Sequence, residues 1–407
     1  MLAEQLSRKI TVLSGREPEV RRLHFFNGRS AQLFSLDPLL GQVCDSDPMR
    51  FRRAIAGPLF RCNDIRSEFT CLEPPAEVNG LTVRQLRFKG VKPVASGTEV
   101  LRYQSGAGFV PVLLEPAGGS MIAGRRERDA WEYSAMGTLS LVRLRTEVET
   151  ALKLGPRRTD LLLGFGLYDK LHFNGQPVGF AIYGMDRPTD QRLVNAIQRS
   201  IMAIQLDLRE RFGAQARKAG ELLRQMHQMG LAHRYPHLGN IGIGGNGARI
   251  VDLDTAVNIS SLPPGARAAF LYLDLSLIIG YFNLMVAWGG GNKLVGFSAV
   301  PLLPDLLNGY FGDDSGHEFL RRLNGISDFY DTEKVIAAAG FPFKLEGHTH
   351  GDLNAMHRNS FFLRPRFDAY RGAPVDLQDH CRANPAFASF FRAVEQVAES
   401  IELAPAN

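Results

Sequence analysis

The chain has 407 residues, 45% of them hydrophobic and 22% charged, which excludes a disordered protein and allows two or three packed subdomains. Its formal net charge of +5 is spread over scattered arginines, which argues for a site taking anionic ligands and against a nucleic-acid groove. Four cysteines, Cys44, Cys62, Cys71 and Cys381, have neither zinc-site spacing nor disulfide density and point to reduced thiols in the cytoplasm.

The first residues lack a continuous apolar core of signal-peptide length, so no export by that route is expected. Residues 1–80 mix short apolar runs with Pro, Gly and Asn, and close on Pro74-Pro75 and Asn79-Gly80. They read as an irregular N-terminal extension. From Leu81 the runs LTVRQLRFKG and TEVLRYQ alternate as strands do. A Gly- and Pro-containing loop, EPAGGSMIAG, then opens into RRERDAWEYSAMGTL, which has helical spacing. Strand-like runs follow at ETALKL, DLLLGFGLY and PVGFAIYGM, so residues 81–188 form a small mixed, β-rich domain.

Between Asp190 and Gly230 apolar residues recur at three and four, with Gly230 placed to cap a helix. Beyond Asp254 the chain is largely helical, making residues 189–407 a second, helical domain. The apolar stretch Ala268 to Trp288 is broken by Asp274, Gly280 and Asn283 and reads as a buried helix rather than a membrane span.

The segment from His233 to Asp254, HRYPHLGNIGIGGNGARIVDLD, resembles the catalytic and metal-binding segments of the protein-kinase-like superfamily. There a loop H-x-D-x-x-x-x-N precedes a hairpin and a strand ending in Asp. His233, Asn240 and Asp252 stand at those offsets, while Tyr235 takes the catalytic Asp position. The stretch ELLRQMHQMGLAHRYPHLGNIGI is similar to aminoglycoside phosphotransferases. With RQLRFKGVKP and GGSMIAGRRERDAWEYSAM, the chain most resembles the selenoprotein O family of kinase-like protein adenylyltransferases. The resemblance implies an α+β, bilobal protein-kinase-like fold, with a small N-lobe, a larger helical C-lobe and the loop near their junction.

It also implies roles. Asn240 and Asp252 would hold Mg2+, a hard cation satisfied by few protein oxygens, although an Asn in a Gly-rich stretch can be a turn residue and an Asp can merely end a strand. Asp254 would project to the same side if the strand continued, as a second ligand or a base. Lys89 would pair with Asp129, with Lys92, Glu127 and Glu132 as rivals. Lys153, Arg157 and Arg158 would clamp phosphates, or else be exposed turn residues. The acid that selenoprotein O carries before its metal-binding Asn is Gly239 here, so the proton falls to His237, Asp254 or His233, or to no residue. Asp274 would accept hydrogen bonds from the catalytic-loop backbone.

A second H-G-D at His350, Gly351 and Asp352 lacks an Asn at the right distance and reads as a structural or substrate-facing loop. The function expected is ATP- and Mg2+-dependent transfer of AMP or a phosphoryl group to a hydroxyl or carboxylate of an unidentified protein or small-molecule acceptor. No nucleic acid or membrane takes part. The alternatives are a pseudokinase scaffold that binds nucleotide without turnover, and an ATP-dependent biosynthetic enzyme modifying a small molecule.

Overall fold

Strand β4 (Leu81–Lys89) shows how the sequence builds the first half of the molecule, because its side chains alternate between two covered faces of a sheet. Phe88 points to one face, where it meets Phe51 edge-on at 5.5 Å. Arg87 and Lys89 point to the other. The structure is a computed structural model that describes residues 2–25, 29–55, 68–94, 100–105, 108–113, 136–173, 176–187, 192–203, 205, 207–244, 247–264, 285–289, 293–297, 299–312, 343–344, 396 and 399. It also describes 267, 268, 270, 271, 274, 275 and 278.

The fold is mixed α+β, and the chain divides into one unit spanning Met1–Asp190 and another spanning Gln191–Asn407. In the first, ten strands form one antiparallel sheet. They are β1 (Glu19–His24), β2 (Ser30–Ser35), β3 (Glu68–Val78), β4, β5 (Val91–Val94), β6 (Val100–Ser105), β7 (Gly108–Leu113), β8 (Met136–Ser140), β9 (Leu161–Phe173) and β10 (Gln176–Met185). The main path runs β1-β2-β9-β10-β4-β3, with β8 also on β10 and β6 also on β9.

Helices α1 (Leu2–Ser14), α2 (Pro38–Ser46), α3 (Pro48–Ile55) and α4 (Leu141–Leu154) complete this unit. Leu40 and Cys44 of α2 and Phe51 and Ile55 of α3 enter the core formed by Leu33, Phe88, Leu163, Phe180 and Ile182. Helix α4 lies on the Lys89 face, which makes the sheet a middle layer and buries polar as well as apolar positions.

Three sequence expectations are corrected here. Residues 1–80 are no irregular appendage, because β2 pairs with β9 and β3 with β4 inside the main sheet. Pro74 and Pro75 are tolerated because β3 is an edge strand whose register shifts between Cys71 and Ala76. ETALKL is the end of α4 rather than a strand, since Leu144, Val148, Ala151 and Leu154 repeat at helical spacing and are buried. Met136–Ser140, expected at the end of a helix, is β8, and the helix starts at Leu141.

In the second unit, α5 (Leu193–Met202) and α6 (Leu208–Gln228) precede a loop and a hairpin. Helix α6 packs against the helix Leu303–Phe311, which it meets through Gly213, Gly220 and His227. The two backbones touch: a Cβ on Gly220 would lie 2.0 Å from the Leu306 carbonyl, and one on Gly309 would lie 1.9 Å from the Arg217 carbonyl. Gly230, with φ +69°, ends α6. A strand occupies Met285–Gly289, so the apolar stretch from Ala268 does not continue as helix to Trp288. Among the described residues no helix is long and apolar enough to cross a membrane.

Candidate functional site

The loop after α6 is built around one buried carboxylate. Asp274, a helical residue with no exposed surface, accepts the His233 amide at 2.7 Å and the Arg234 amide at 2.8 Å, as expected from the sequence. Its Oδ2 also receives Nε2–H of His227 at 3.1 Å, and the Tyr310 hydroxyl donates to Nδ1 of His227 at 2.7 Å. These bonds hold Arg234 in left-handed backbone, φ +68°, which a residue with a Cβ adopts only when its surroundings enforce it.

From that anchor the chain passes through a single 3-10 turn, Leu238–Asn240, into strands β12 (Ile241–Gly244) and β13 (Gly247–Ile250). A short preceding strand, β11 (Leu231–Ala232), opens the loop. The hairpin register puts Ile241 opposite Ile250, and the amide of Val251 donates to the Asn240 carbonyl at 3.0 Å. Asn240 and the residue before Asp252 are therefore direct neighbours at the open end of one hairpin. The Asn240 side-chain nitrogen donates to the Tyr235 carbonyl at 3.1 Å, which fixes the amide plane and turns its oxygen the other way. Asp252 is half-buried and also left-handed, φ +67°.

The strand on which Asp254 would share the face of Asp252 does not continue that far. The strand ends at Ile250, the chain turns at Asp252, and Ala256 N–H bonds back to the Leu253 carbonyl. Asp254 is buried in that turn.

The hydrogen-bond partners of each histidine set its tautomer. His233 gives Nε2–H to the Val251 carbonyl at 3.1 Å and takes the Tyr235 amide on Nδ1 at 3.3 Å, so both nitrogens stitch the loop together. His233 is a structural link. Nδ1 of His237 accepts the Gly239 amide at 3.0 Å, which puts the proton on Nε2. The residue as a whole is half-buried. Burial, the largest influence, pushes its pKa down to about 4 against the opposing charge of Asp252. A Cβ at Gly239 would lie 2.6 Å from Cε1 of His237, so the imidazole fills the space that a side chain at 239 would need. Arg192 pins the same corner through the Gly239 carbonyl at 3.0 Å.

The Met1–Asp190 unit, taken by itself, holds a separate cluster of buried charges. Lys89 Nζ meets Glu147 Oε2 at 2.7 Å, with both side chains buried. The Tyr183 hydroxyl donates to Glu147 Oε1 at 2.6 Å. Beside them Arg187 grips Asp160 through both terminal nitrogens at 2.9 and 3.1 Å, and Arg87 approaches the same carboxylate at 3.7 Å. Glu147 was missed from sequence; the signal for it was the buried stripe of α4, had that helix been recognised. Asp129, Glu127 and Glu132 lie outside the described residues, as do His350, Gly351 and Asp352 and the side chain of Lys92.

The expected phosphate clamp divides. Arg158 donates to the Leu154 carbonyl at 2.9 Å and so caps α4, Arg157 is exposed, and Lys153 is half-buried with its pKa lowered by that burial. Among the described residues no group of three or more His, Cys, Asp or Glu is arranged as a metal cage. Asn240 and Asp252 still offer hard oxygens of the kind that suit magnesium, which keeps much of its shell as water and phosphate. No family model matches the chain, and no curated protein matches it either.

Proposed function

We propose that this chain is an ATP- and magnesium-dependent transferase of the kinase-like fold, moving AMP or a phosphoryl group onto a hydroxyl or carboxylate of a protein or small-molecule acceptor. The observation that carries the proposal is the hairpin that sets Asn240 beside the Val251–Asp252 step, with the preceding loop anchored on Asp274. Two non-glycine residues in left-handed backbone on these segments support it, since such conformations concentrate at functional sites. A lysine on an antiparallel sheet, paired with a glutamate from a covering helix, supports the kinase-like layout.

In this reading Asn240 Oδ1 and the Asp252 carboxylate, within the second unit, would hold the metal; Lys89, within the first unit and paired with Glu147, is by itself a cation able to attract phosphate oxygens. Magnesium, when bound, neutralises phosphate charge during transfer. His237 supplies a neutral N–H donor through Nε2. Asp254 is the remaining carboxylate for the acceptor proton, and transfer through a loose transition state needs alignment more than a base.

A second reading, nucleotide binding without turnover, is favoured by one observation: His233 and His237 both spend Nδ1 on backbone amides. ATP labelled separately at its α- and γ-phosphates, with and without magnesium, separates the two. Label movement that requires magnesium and falls by roughly a hundredfold in Asn240→Ala and Asp252→Ala supports the transferase, since loss of metal-site groups costs about 10–100-fold or more. Undiminished transfer in both variants sinks the metal assignment, and binding with neither label moving selects the second reading.

A further inference from the structure

We infer that Tyr183 is a positioning residue that acts through Glu147 to hold the Lys89 ammonium in place for a nucleotide phosphate. The identity of that ligand rests on the function proposed above; the positioning itself does not. Three elements meet at this point: Lys89 comes from β4, Tyr183 from β10 and Glu147 from α4. A glutamate held at one oxygen can still rotate its carboxylate plane. Here Oε2 takes Lys89 at 2.7 Å and Oε1 takes Tyr183 at 2.6 Å, so the plane is fixed from two sides.

The strand register explains why the phenol reaches Glu147. Ala181 stands opposite Lys89 and Tyr183 opposite Arg87, so all of these positions belong to the face covered by α4. The small Ala181 leaves Lys89 room, and Tyr183 spans the next position along. Its ring is itself held: the Arg87 guanidinium lies 5.9 Å from the ring centroid. Burial and the Glu147 charge keep the phenol pKa well above its ordinary value, so the hydroxyl remains a donor.

Tyr168 provides the comparison that a merely structural role requires. It is also buried, it lies on the neighbouring strand β9 in the apolar core with Phe88 and Phe180, and its hydroxyl donates to the Ile55 carbonyl rather than to a carboxylate. Tyr183→Phe and Tyr168→Phe each remove one buried hydroxyl while keeping the ring.

The experiment measures three quantities on the full chain: thermal midpoint, MgATP affinity by calorimetry, and the acylation rate of Lys89 by a small amine-reactive ester, read on the peptide by mass spectrometry. Both variants are expected to lose some thermal stability. Only Tyr183→Phe should weaken MgATP binding, by roughly tenfold, the scale of one lost hydrogen bond to a charged group, and speed Lys89 acylation several-fold. A 4-aminophenylalanine at position 183 restores an N–H donor and should return both toward wild type. It keeps the test open if Tyr183→Phe does not fold, because wild-type affinity and acylation are then required of it. Unchanged affinity and unchanged acylation in Tyr183→Phe overturn the inference. If the wild type binds no MgATP, the proposed function fails by itself. Acylation then decides alone: faster only in Tyr183→Phe upholds the positioning role, and equal rates in all proteins overturn it.

Discussion

In the Met1–Asp190 unit buried charges answer one another side chain to side chain, whereas in the Gln191–Asn407 unit the buried Asp274 is answered largely by backbone amides. Lys89 with Glu147, and Arg187 with Asp160, are pairs in which both members are encoded as residue types. Asp274 instead collects the His233 and Arg234 amides together with one imidazole. The first arrangement can be removed and replaced as a pair. The second cannot, because its donors belong to the main chain whatever the sequence.

That contrast sets the largest expected effect. Asp274→Ala strands the buried His233 amide, the part-buried Arg234 amide and Nε2–H of His227, and at about 1–3 kcal/mol per unsatisfied donor the loss is on the order of 5 kcal/mol. Chemical denaturation measures it. Asp274→Asn should recover part of the loss, because the amide oxygen still accepts. A loss under about 1 kcal/mol in the alanine variant would show that the loop does not depend on this carboxylate.

Next in size is the ion pair. Lys89→Ala leaves Glu147 charged in a buried position and should cost about 3–5 kcal/mol. The double variant Lys89→Met with Glu147→Leu should return part of that stability, as apolar replacement of both partners commonly does, less about 1–3 kcal/mol for the buried Tyr183 hydroxyl that loses its acceptor. Nucleotide binding should not return with it. Were the double variant as unstable as the single one, the pair would be holding the sheet face together by more than charge compensation.

How much of this was legible in the sequence follows from the same contrast. The loop and hairpin could be read because their members are local: His233, Asn240 and Asp252 lie within 20 residues, and Gly230 marks the helix end before them. Strands β4, β9 and β10 showed their apolar runs. Glu147 could not be read, because its pairing with Lys89 spans 58 residues and depends on which face of α4 meets the sheet. The six-residue run ETALKL alternates over too short a window to separate a strand from a helix end. The place of residues 1–80 in the sheet depends on a non-local register that Pro74 and Pro75 disguise. For the loop, the sequence identified the residue types of interest but not the hydrogen of each imidazole, which is set by the Gly239 amide for His237 and by the Val251 carbonyl for His233.

The histidine states give the third expectation. His237 titrates at about 4 in the folded chain against an ordinary 6.5, so the unfolded chain binds more protons between those values. Its contribution is fully present above pH 6.5 and is lost as the pH falls toward 4, by at most about 3 kcal/mol. Unfolding free energies of wild type and His237→Gln, compared between pH 7 and pH 4, isolate it from the carboxylates common to both. The wild type should lose more stability on acidification. Parallel curves would mean that the ring is hydrated and titrates normally.

The smallest effect sharpens the contrast from its other end, where a charge pair is neither buried nor joined to the main chain. Lys9 of α1 reaches Glu149 of α4 at 2.8 Å, with 46% and 23% of the two side chains exposed, and Arg145 shares the same carboxylate at 2.7 Å. Water screens such a pair, and Arg145 remains to partner Glu149 when the lysine is gone. Lys9→Ala should therefore cost less than about 1 kcal/mol, with the remaining attachment of α1 coming from the buried Leu6 and Ile10. A double variant, Leu6→Ala with Ile10→Ala, should release far more, because each removes a fully enclosed apolar side chain. If Lys9→Ala proved the more damaging of the two, α1 would be held on α4 electrostatically, and the separation drawn here between buried and exposed charge would not describe this helix pair.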